Sequence, residues 1–527
     1  VAQSEGRGGG GRFAALVATG IFLSRIAGLV RQRVLAHYLG LSDTADAFTA
    51  AFRIPNLLQN LFGEGVLSAS FIPVYARLLA DNEEEAAARV AGAVGALLAL
   101  VTAVLTLAGM WCTPWLIDAI APGFEGEKRA LTIRLVRILF PGIALLVLSA
   151  WCLGILNSHR RFLLSYTAPV AWNAAIIAAL VLFGGRVGAF DLAAAAAWGS
   201  VAGSALQLLV QVPTVWRVAG RLRPSLDLGS QHVRIVLRNF GPVFVGRGVL
   251  QISAYIDNVL ASLLPAGAVA ALMNAQTLYT LPVSLFGMSV SAAELPVMSS
   301  AQGDRDAIAA YLRARLDAGL RRIAFFVVPA AMAFVALGDV LAAAIFQTGR
   351  FTGADARYVW SILAGSAIGL LASTMGRLYA STYYALRDTR TPLYFAIVRV
   401  ALVIALGFCA ALVLPRLLGI DPRWGAAGLT AAAGIAGWTE FLLLRRTLHH
   451  RIGRTGLPPA HLARLWLASA AAAAAGLAVK LGVGVTQPIL RAGLVTGAFG
   501  TVYLLVTSAL GVDASRALLR RLGRGAG

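Results

Sequence analysis

Apolar residues in this chain fall in long runs separated by short polar breaks. A hydrocarbon core about 30 Å thick needs about 20 apolar residues as helix. About 14 runs are long enough: 13–39, 46–77, 91–117, 131–156, 164–184, 189–215, 235–264, 267–300, 321–346, 358–386, 391–414, 425–444, 463–482 and 489–511. The pattern predicts an all-α polytopic membrane protein. Composition agrees: 58% of the 527 residues are hydrophobic and 13% charged, against roughly 25% charged in soluble domains, and mean hydropathy is +0.76.

The runs repeat. Leu61-Phe62-Gly63 followed by serines and Pro73 returns as Leu285-Phe286-Gly287, serines and Pro296. The polar break Asp81 to Glu85 is echoed by Gln302 to Asp306, and Pro122-Gly123-Phe124 by Thr348-Gly349-Arg350-Phe351. Leu156-Asn157-Ser158-His159-Arg160-Arg161 occupies the place of Leu386-Arg387-Asp388-Thr389-Arg390. An offset of about 225–230 residues makes each unit six helices, an even number, so both units enter the membrane in the same direction. The expected organisation is a glycine-rich disordered cytoplasmic tail, 1–12; a first lobe, 13–215; a cytoplasmic linker, 216–234, with Pro224 and a candidate amphipathic helix; a second lobe, 235–444; a cytoplasmic loop, 445–462; two additional helices, 463–511, expected to form a groove for a lipid tail; and a cytoplasmic tail, 512–527. The two lobes would form a parallel repeat about a pseudo-twofold axis along the membrane normal, with the substrate path between them.

The net charge of +21 raises the question of nucleic acid, but its placement points to a membrane. With residue 1 in the cytoplasm, about 27 Lys/Arg fall in cytoplasmic segments and about 9 outside, as the positive-inside rule requires. Both termini are therefore expected in the cytoplasm, and no nucleic-acid partner is expected. The first run is too long for a cleavable signal peptide and is followed by polar helix. Cys112, Cys152 and Cys409 lie in or at the ends of apolar runs without metal-ligand spacing and read as packing residues. His37, His159, His232, His449, His450 and His461 sit at run ends or in loops. No Walker loop, HExxH or GxSxG occurs, so the chain reads as a transporter and not an enzyme, without a cofactor.

Arginine inside the apolar runs is the chemical clue. Arg25, Arg31, Arg33, Arg53, Arg134, Arg137, Arg247, Arg377 and Arg399 all lie there. A charge at the bilayer centre costs at least about 2.5–3.5 kcal/mol, so such residues face a bundle interior or a wet cavity. Helical periodicity puts Arg25, Gly28, Arg31 and Gln32 within about a third of one helix circumference. The second run carries Arg53, Asn56, Asn60 and Glu64 at helical spacing, with Pro55 expected to bend it. The seventh adds Arg247, Gln251 and Asn258, with Asp257 beside them. Cation-bearing faces of this kind suit an anion such as pyrophosphate, which the planar guanidinium fork matches. The competing reading pairs the arginines with Glu64, Asp46 or Asp257 as helix locks. For Arg33 and Arg137, near run ends, snorkelling is the better account. Glu294 reads as a proton or cation site or as a hydrogen-bonded structural carboxylate, and Asp388 as loop structure.

Specific motifs extend the reading. Ser24-Arg25-Ile26-Ala27-Gly28-Leu29-Val30-Arg31, Ala45-Asp46-Ala47-Phe48, Ala51-Phe52-Arg53-Ile54-Pro55-Asn56-Leu57-Leu58, Phe62-Gly63-Glu64-Gly65 and Ala69-Ser70-Phe71-Ile72-Pro73-Val74 closely resemble the MurJ (MviN) family, bacterial lipid II flippases of the multidrug/oligosaccharidyl-lipid/polysaccharide exporter superfamily. The resemblance continues through Ala121-Pro122-Gly123-Phe124, Gly154-Ile155-Leu156-Asn157, Phe162, Pro169, Asn173 and Gly241-Pro242 to Phe346-Gln347-Thr348-Gly349-Arg350-Phe351 and Asp388-Thr389-Arg390-Thr391-Pro392. It implies two six-helix lobes plus two helices, and Arg25 and Arg31 in contact with the lipid II pyrophosphate. Asp46 and Glu64 match acidic family positions. Two departures stand out: Gln59-Asn60 follow Pro-Asn-Leu-Leu where the family has a basic residue, and Ala275-Gln276-Thr277-Leu278-Tyr279 replaces a stretch that often holds a cavity arginine.

The expected function is transfer of undecaprenyl-pyrophosphate-linked lipid II from the inner to the outer leaflet of the bacterial inner membrane by alternating access, in peptidoglycan biosynthesis. Membrane potential or a monovalent ion is the expected energy source. Expected partners are lipid II, membrane lipids and cell-wall synthesis or division proteins. The alternatives are a flippase for another polyprenyl-pyrophosphate glycan, an ion-coupled multidrug exporter, or a non-transporting scaffold.

Overall fold

The computed structural model describes residues 6–516 except 221, 223 and 228; the side chains of 6–18, 21, 55, 64, 242, 243 and 245–254 lie outside the description. Among the described residues the chain is helical apart from turns and one isolated bridge, Thr348 with Phe351. It divides into two compact units, Val1–Val269 and Ala270–Gly527.

The first unit contains α1 (Gly6–Leu39), α2 (Asp43–Phe62), α3 (Glu64–Ser70), α4 (Ile72–Ala80), α5 (Glu84–Ile120), α6 (Gly126–Ser158), α7 (Phe162–Phe183), α8 (Ala189–Val218) and α9 (Gln231–Ser262). Residues 6–12, expected to be disordered, continue α1 backward from its apolar run, since each added residue gains one hydrogen bond once a helix is nucleated. Ser42 starts α2, its hydroxyl accepting from the Ala45 N–H at 3.2 Å. The helix assignment runs through position 55 and stops at Gly63 (φ −90°, ψ −146°), where a Cβ would lie 2.2 Å from the Gln59 carbonyl oxygen. Only glycine fits that break.

The linker 216–234 forms no helix of its own: its first residues continue α8, its last open α9, and between them the described residues are not helical. α8 runs on to Val218, residues 219–230 are irregular where described, and α9 starts at Gln231. Gly220 (φ +68°) and Pro224 interrupt any helix there. By the sequence repeat α9 opens the second half, but by packing it belongs to the first unit. Phe240 and Phe244 pack on Phe62, with ring centroids 6.0 and 5.0 Å apart. The Tyr255 hydroxyl donates to the Arg53 carbonyl at 2.6 Å, and the Asn258 amide to the Ile120 carbonyl at 3.3 Å.

The second unit follows with α10 (Ala268–Pro282), a π-helical turn Val283–Met288, α11 (Ser289–Ser299), α12 (Arg305–Phe346), α13 (Gly353–Ala385), α14 (Arg390–Phe408), a π-helical turn Cys409–Val413, α15 (Leu414–Leu417), a 3₁₀ turn Pro422–Trp424, α16 (Gly425–Ile452), α17 (Pro459–Gly482) and α18 (Pro488–Ala509). The repeated Leu-Phe-Gly motif marks the same event twice: Gly63 interrupts the second run, and Gly287 lies in the π turn of its counterpart, closely packed on Thr374 of α13. Capping follows sequence here too. Thr352 and Asp355 form a reciprocal box at the start of α13, and the Asp304 carboxylate accepts from the Ala307 N–H at 2.8 Å.

Eleven helical segments are long and apolar enough to cross a membrane among the described residues. They include the segments at 164–184, 463–482 and 489–511, seen as α7, α17 and α18. α1, α2 with α3 and α4, and α9 are not among the eleven; these are the helices that carry the arginine stripes. The core of the second unit runs through α13, most of which is buried, whereas the segment Arg390–Leu417 is largely uncovered by the rest of the protein.

Candidate anion site on the first helix

Arg31 is the centre of the site. It lies half-buried on α1, with Phe52 of α2 and Trp172 of α7 beside it. Its guanidinium carbon is 5.2 Å from the Phe52 ring centre and 5.0 Å from that of Trp172, and the two rings stack at 5.4 Å. The Nε is buried without a hydrogen-bond partner among the described residues. A guanidinium in water satisfies all five N–H groups; here two π faces stabilise the charge without consuming donors. What remains is a fork of hydrogen-bond donors suited to a phosphate or carboxylate.

The local sequence produces this cradle. α7 packs along α1 through close contacts: the backbone at Gly20 abuts Tyr166, and Gly184 abuts Tyr38. Trp172 is fixed by its indole N–H, which lies 3.1 Å from both the carbonyl and the hydroxyl of Ser200 on α8. Gly28, one turn before Arg31, has nothing within 4 Å of where a Cβ would stand. The stripe therefore borders open space at Gly28, and Arg25 is exposed on the same helix.

The other sequence candidates divide. Arg53 is 8% exposed, with Asp257 and Tyr255 of α9 near enough to act on its charge. That arrangement joins α2 to α9 and matches the helix-lock reading. Asn56 is half-buried and Asn60 exposed. The side chains of Pro55, Glu64, Arg247 and Gln251 lie outside the described residues. Asp46 is 1% exposed and accepts from Lys128 Nζ at 2.7 Å and from the Gly267 N–H at 2.8 Å; Lys128 also reaches Asp43 at 2.8 Å. Asp46 thus ties the start of α2 to the start of α6 and to the turn after α9. Glu294 takes the structural option, receiving Arg315 at 2.6 and 2.9 Å. Arg137 donates to the Met110 carbonyl at 3.2 Å.

Sequence reasoning missed Phe52, Trp172 and Lys128. Phe52 stood only inside a motif, and Trp172 was one aromatic among many in the apolar runs. Lysine carried a usable signal: of 45 basic residues only Lys128 and Lys480 are lysines, and each pairs with a carboxylate, Lys480 with Asp339 at 2.7 Å.

Known proteins share this architecture. The profile of the family described as "Lipid II flippase MurJ" matches residues 35–507. The chain is 33% identical over 437 residues to the lipid II flippase MurJ of Burkholderia cenocepacia, covering 81% of this chain and 82% of that one. It is 31% identical over 522 residues to the probable lipid II flippase MurJ of Rhizobium meliloti, covering 94% and 93%. A solved structure titled lipid II flippase MurJ, inward closed conformation, superposes with a TM-score of 0.77 at 23% identity, over 95% of this chain and 99% of that one. An inward-facing multidrug resistance MATE transporter of the MOP superfamily follows at 0.66 and 17% identity, over 81% and 95%. The chain is a multi-pass membrane protein that belongs to the MurJ lipid II flippase family.

Proposed function

We propose that this protein carries lipid II from the inner to the outer leaflet of the bacterial cytoplasmic membrane by alternating access, with Arg31 as the principal contact for the pyrophosphate. Arg31 carries the reading: among the described residues it forms no ion pair with a carboxylate, aromatic faces hold it, and its Nε is buried without a hydrogen-bond partner. A multidrug exporter for cations would want acidic groups there. A scaffold would gain nothing from a charge placed at such cost inside a membrane-spanning helix.

α1, the α2–α4 segment and α9 cross the membrane with the eleven apolar segments, polar because they face a path and not lipid. Both termini are cytoplasmic, which places the Asn82, His159 and Asp388 turns in the cytoplasm. An inside-negative potential assists outward movement of the pyrophosphate by about 2.3 kcal/mol per charge per 100 mV. Arg25 joins Arg31 at the headgroup, and Asp46 with Lys128 steadies the outer end of the first unit.

Replacement of the native flippase in a depletion strain tests this. Wild type should restore growth, and Arg31→Ala should not at equal membrane abundance. Full growth on Arg31→Ala would remove Arg31 from the transport path.

A further inference from the structure

The two units end alike at one pair of turns and differ in what fills them. α6 and α13 both close with an arginine in the left-handed region, Arg160 (φ +59°) and Arg387 (φ +58°). In both, the next N–H reaches back five residues, Arg161 to the Leu156 carbonyl and Asp388 to that of Tyr383. The repeat therefore aligns Arg161 with Asp388, opposite charges at one position. In the second unit, Arg451 from the last turn of α16 pairs with Asp388 at 2.6 Å and lies over the Tyr383 ring at 5.4 Å. Met298, the counterpart of Tyr75 after the shared Pro-Val, accepts the Thr382 hydroxyl at 3.5 Å. That end is bridged by its own side chains.

In the first unit the closing carboxylate is missing, because its position is Arg161. A cavity of about 620 Å³ opens there between α4, α5, the α6–α7 turn and the end of α8. Its floor is Tyr75, whose hydroxyl is 2.9 Å from His159 Nε2. Burial pushes the His159 pKa down against the pull of Glu84, so the floor is uncharged at neutral pH. The walls carry Glu84 and Glu85 on one helix start, and Arg89 and Arg217. All four are exposed, and among the described residues none of them takes part in an ion pair. The volume is within the roughly 300–1,000 Å³ of small-ligand sites. Equal numbers of free carboxylates and guanidiniums around a neutral floor disfavour a simple anion or cation and favour a molecule that carries both.

We propose that this cavity binds a zwitterion, taking its anionic group on Arg89 and Arg217 and its primary ammonium on Glu84 and Glu85. A phosphoethanolamine lipid headgroup and a short free peptide share that chemistry. Trp216, beside Arg217 and 66% exposed, sets this end at the depth of interfacial aromatics, where a headgroup is within reach.

The test uses the full chain in detergent and calorimetric titration with dihexanoyl phosphoethanolamine and with trialanine. The controls are dihexanoyl phosphocholine, dihexanoyl phosphoglycerol and N-acetyl-trialanine. At least one primary-ammonium probe should bind about tenfold or more tightly than its controls. Arg217→Gln and Glu84→Gln should each abolish that preference without shifting the unfolding temperature, since both side chains are exposed. Which probe binds identifies the source. Equal binding of probes and controls, binding of neither probe, or a preference that survives both substitutions overturns the proposal.

Discussion

Arg31 in the first unit and Arg399 in the second are both guanidiniums within long helices, held in opposite ways. Arg399 on α14 pairs with Glu440 on α16 at 3.2 Å, the side chains 38% and 19% exposed. Its charge is neutralised inside the fold. Arg31 lies against two rings, and its Nε has no hydrogen-bond partner among the described residues. A carboxylate partner turns an intramembrane arginine into a fastener; aromatic partners leave it available. The position of an arginine in an apolar run does not reveal its role, but its neighbours do.

The contrast is broken most severely by Arg31→Ala. Flipping of fluorescent lipid II in proteoliposomes should fall at least about 100-fold, or about 2.7 kcal/mol of barrier, while the unfolding temperature stays level or rises. Arg31→Lys should recover only part, because an ammonium lacks the planar fork. Arg399→Ala should show the reverse pattern. It should cost about 1–2 kcal/mol of stability, less than the 3–5 of a fully buried pair because Arg399 is partly exposed, and Arg399→Leu with Glu440→Leu should restore it. Thermal unfolding in detergent reads both.

Smaller changes sharpen the comparison. Phe52→Leu and Trp172→Leu should each weaken lipid II binding about two- to thirtyfold, the roughly 0.5–2 kcal/mol of a cation–π contact, with little effect on maximal transport. The least effect is expected at Asp388. Burial raises its pKa, but hydrogen bonds from Thr391 and the Arg451 guanidinium prevail and bring it down to about 2. A depressed carboxylate stabilises fully above its unfolded value, about 3.9, and loses that contribution as pH falls through the folded value. Asp388→Asn should therefore lower the unfolding temperature at neutral pH, and the gap should narrow below about pH 4 and close only below about pH 2.

Helix identity was largely legible because long apolar runs with polar breaks leave few alternatives. The Leu-Phe-Gly repeat even marked where each second segment departs from regular helix. Arg25, Gly28 and Arg31 were legible as a stripe because helical periodicity is local. The cradle was not: Trp172 is 141 positions from Arg31, and an aromatic in an apolar run has no sequence mark separating lipid-facing, core and cation-holding roles. α9 eluded the repeat for a similar reason. Its order in the chain gives it to the second half, whereas Phe240, Phe244, Tyr255 and Asn258 find their partners on α2 and α5. Asp388 and Arg161 show the converse: two turns with one backbone conformation, set apart by a charge the sequence displays but whose consequence requires Arg451 in place.

The most direct measurement is equilibrium binding of lipid II to purified wild type, Arg31→Ala and the Arg399→Leu/Glu440→Leu variant in one detergent. The account predicts that Arg31→Ala loses at least about tenfold in affinity while the double variant matches wild type. Undiminished binding by a folded Arg31→Ala protein would contradict it.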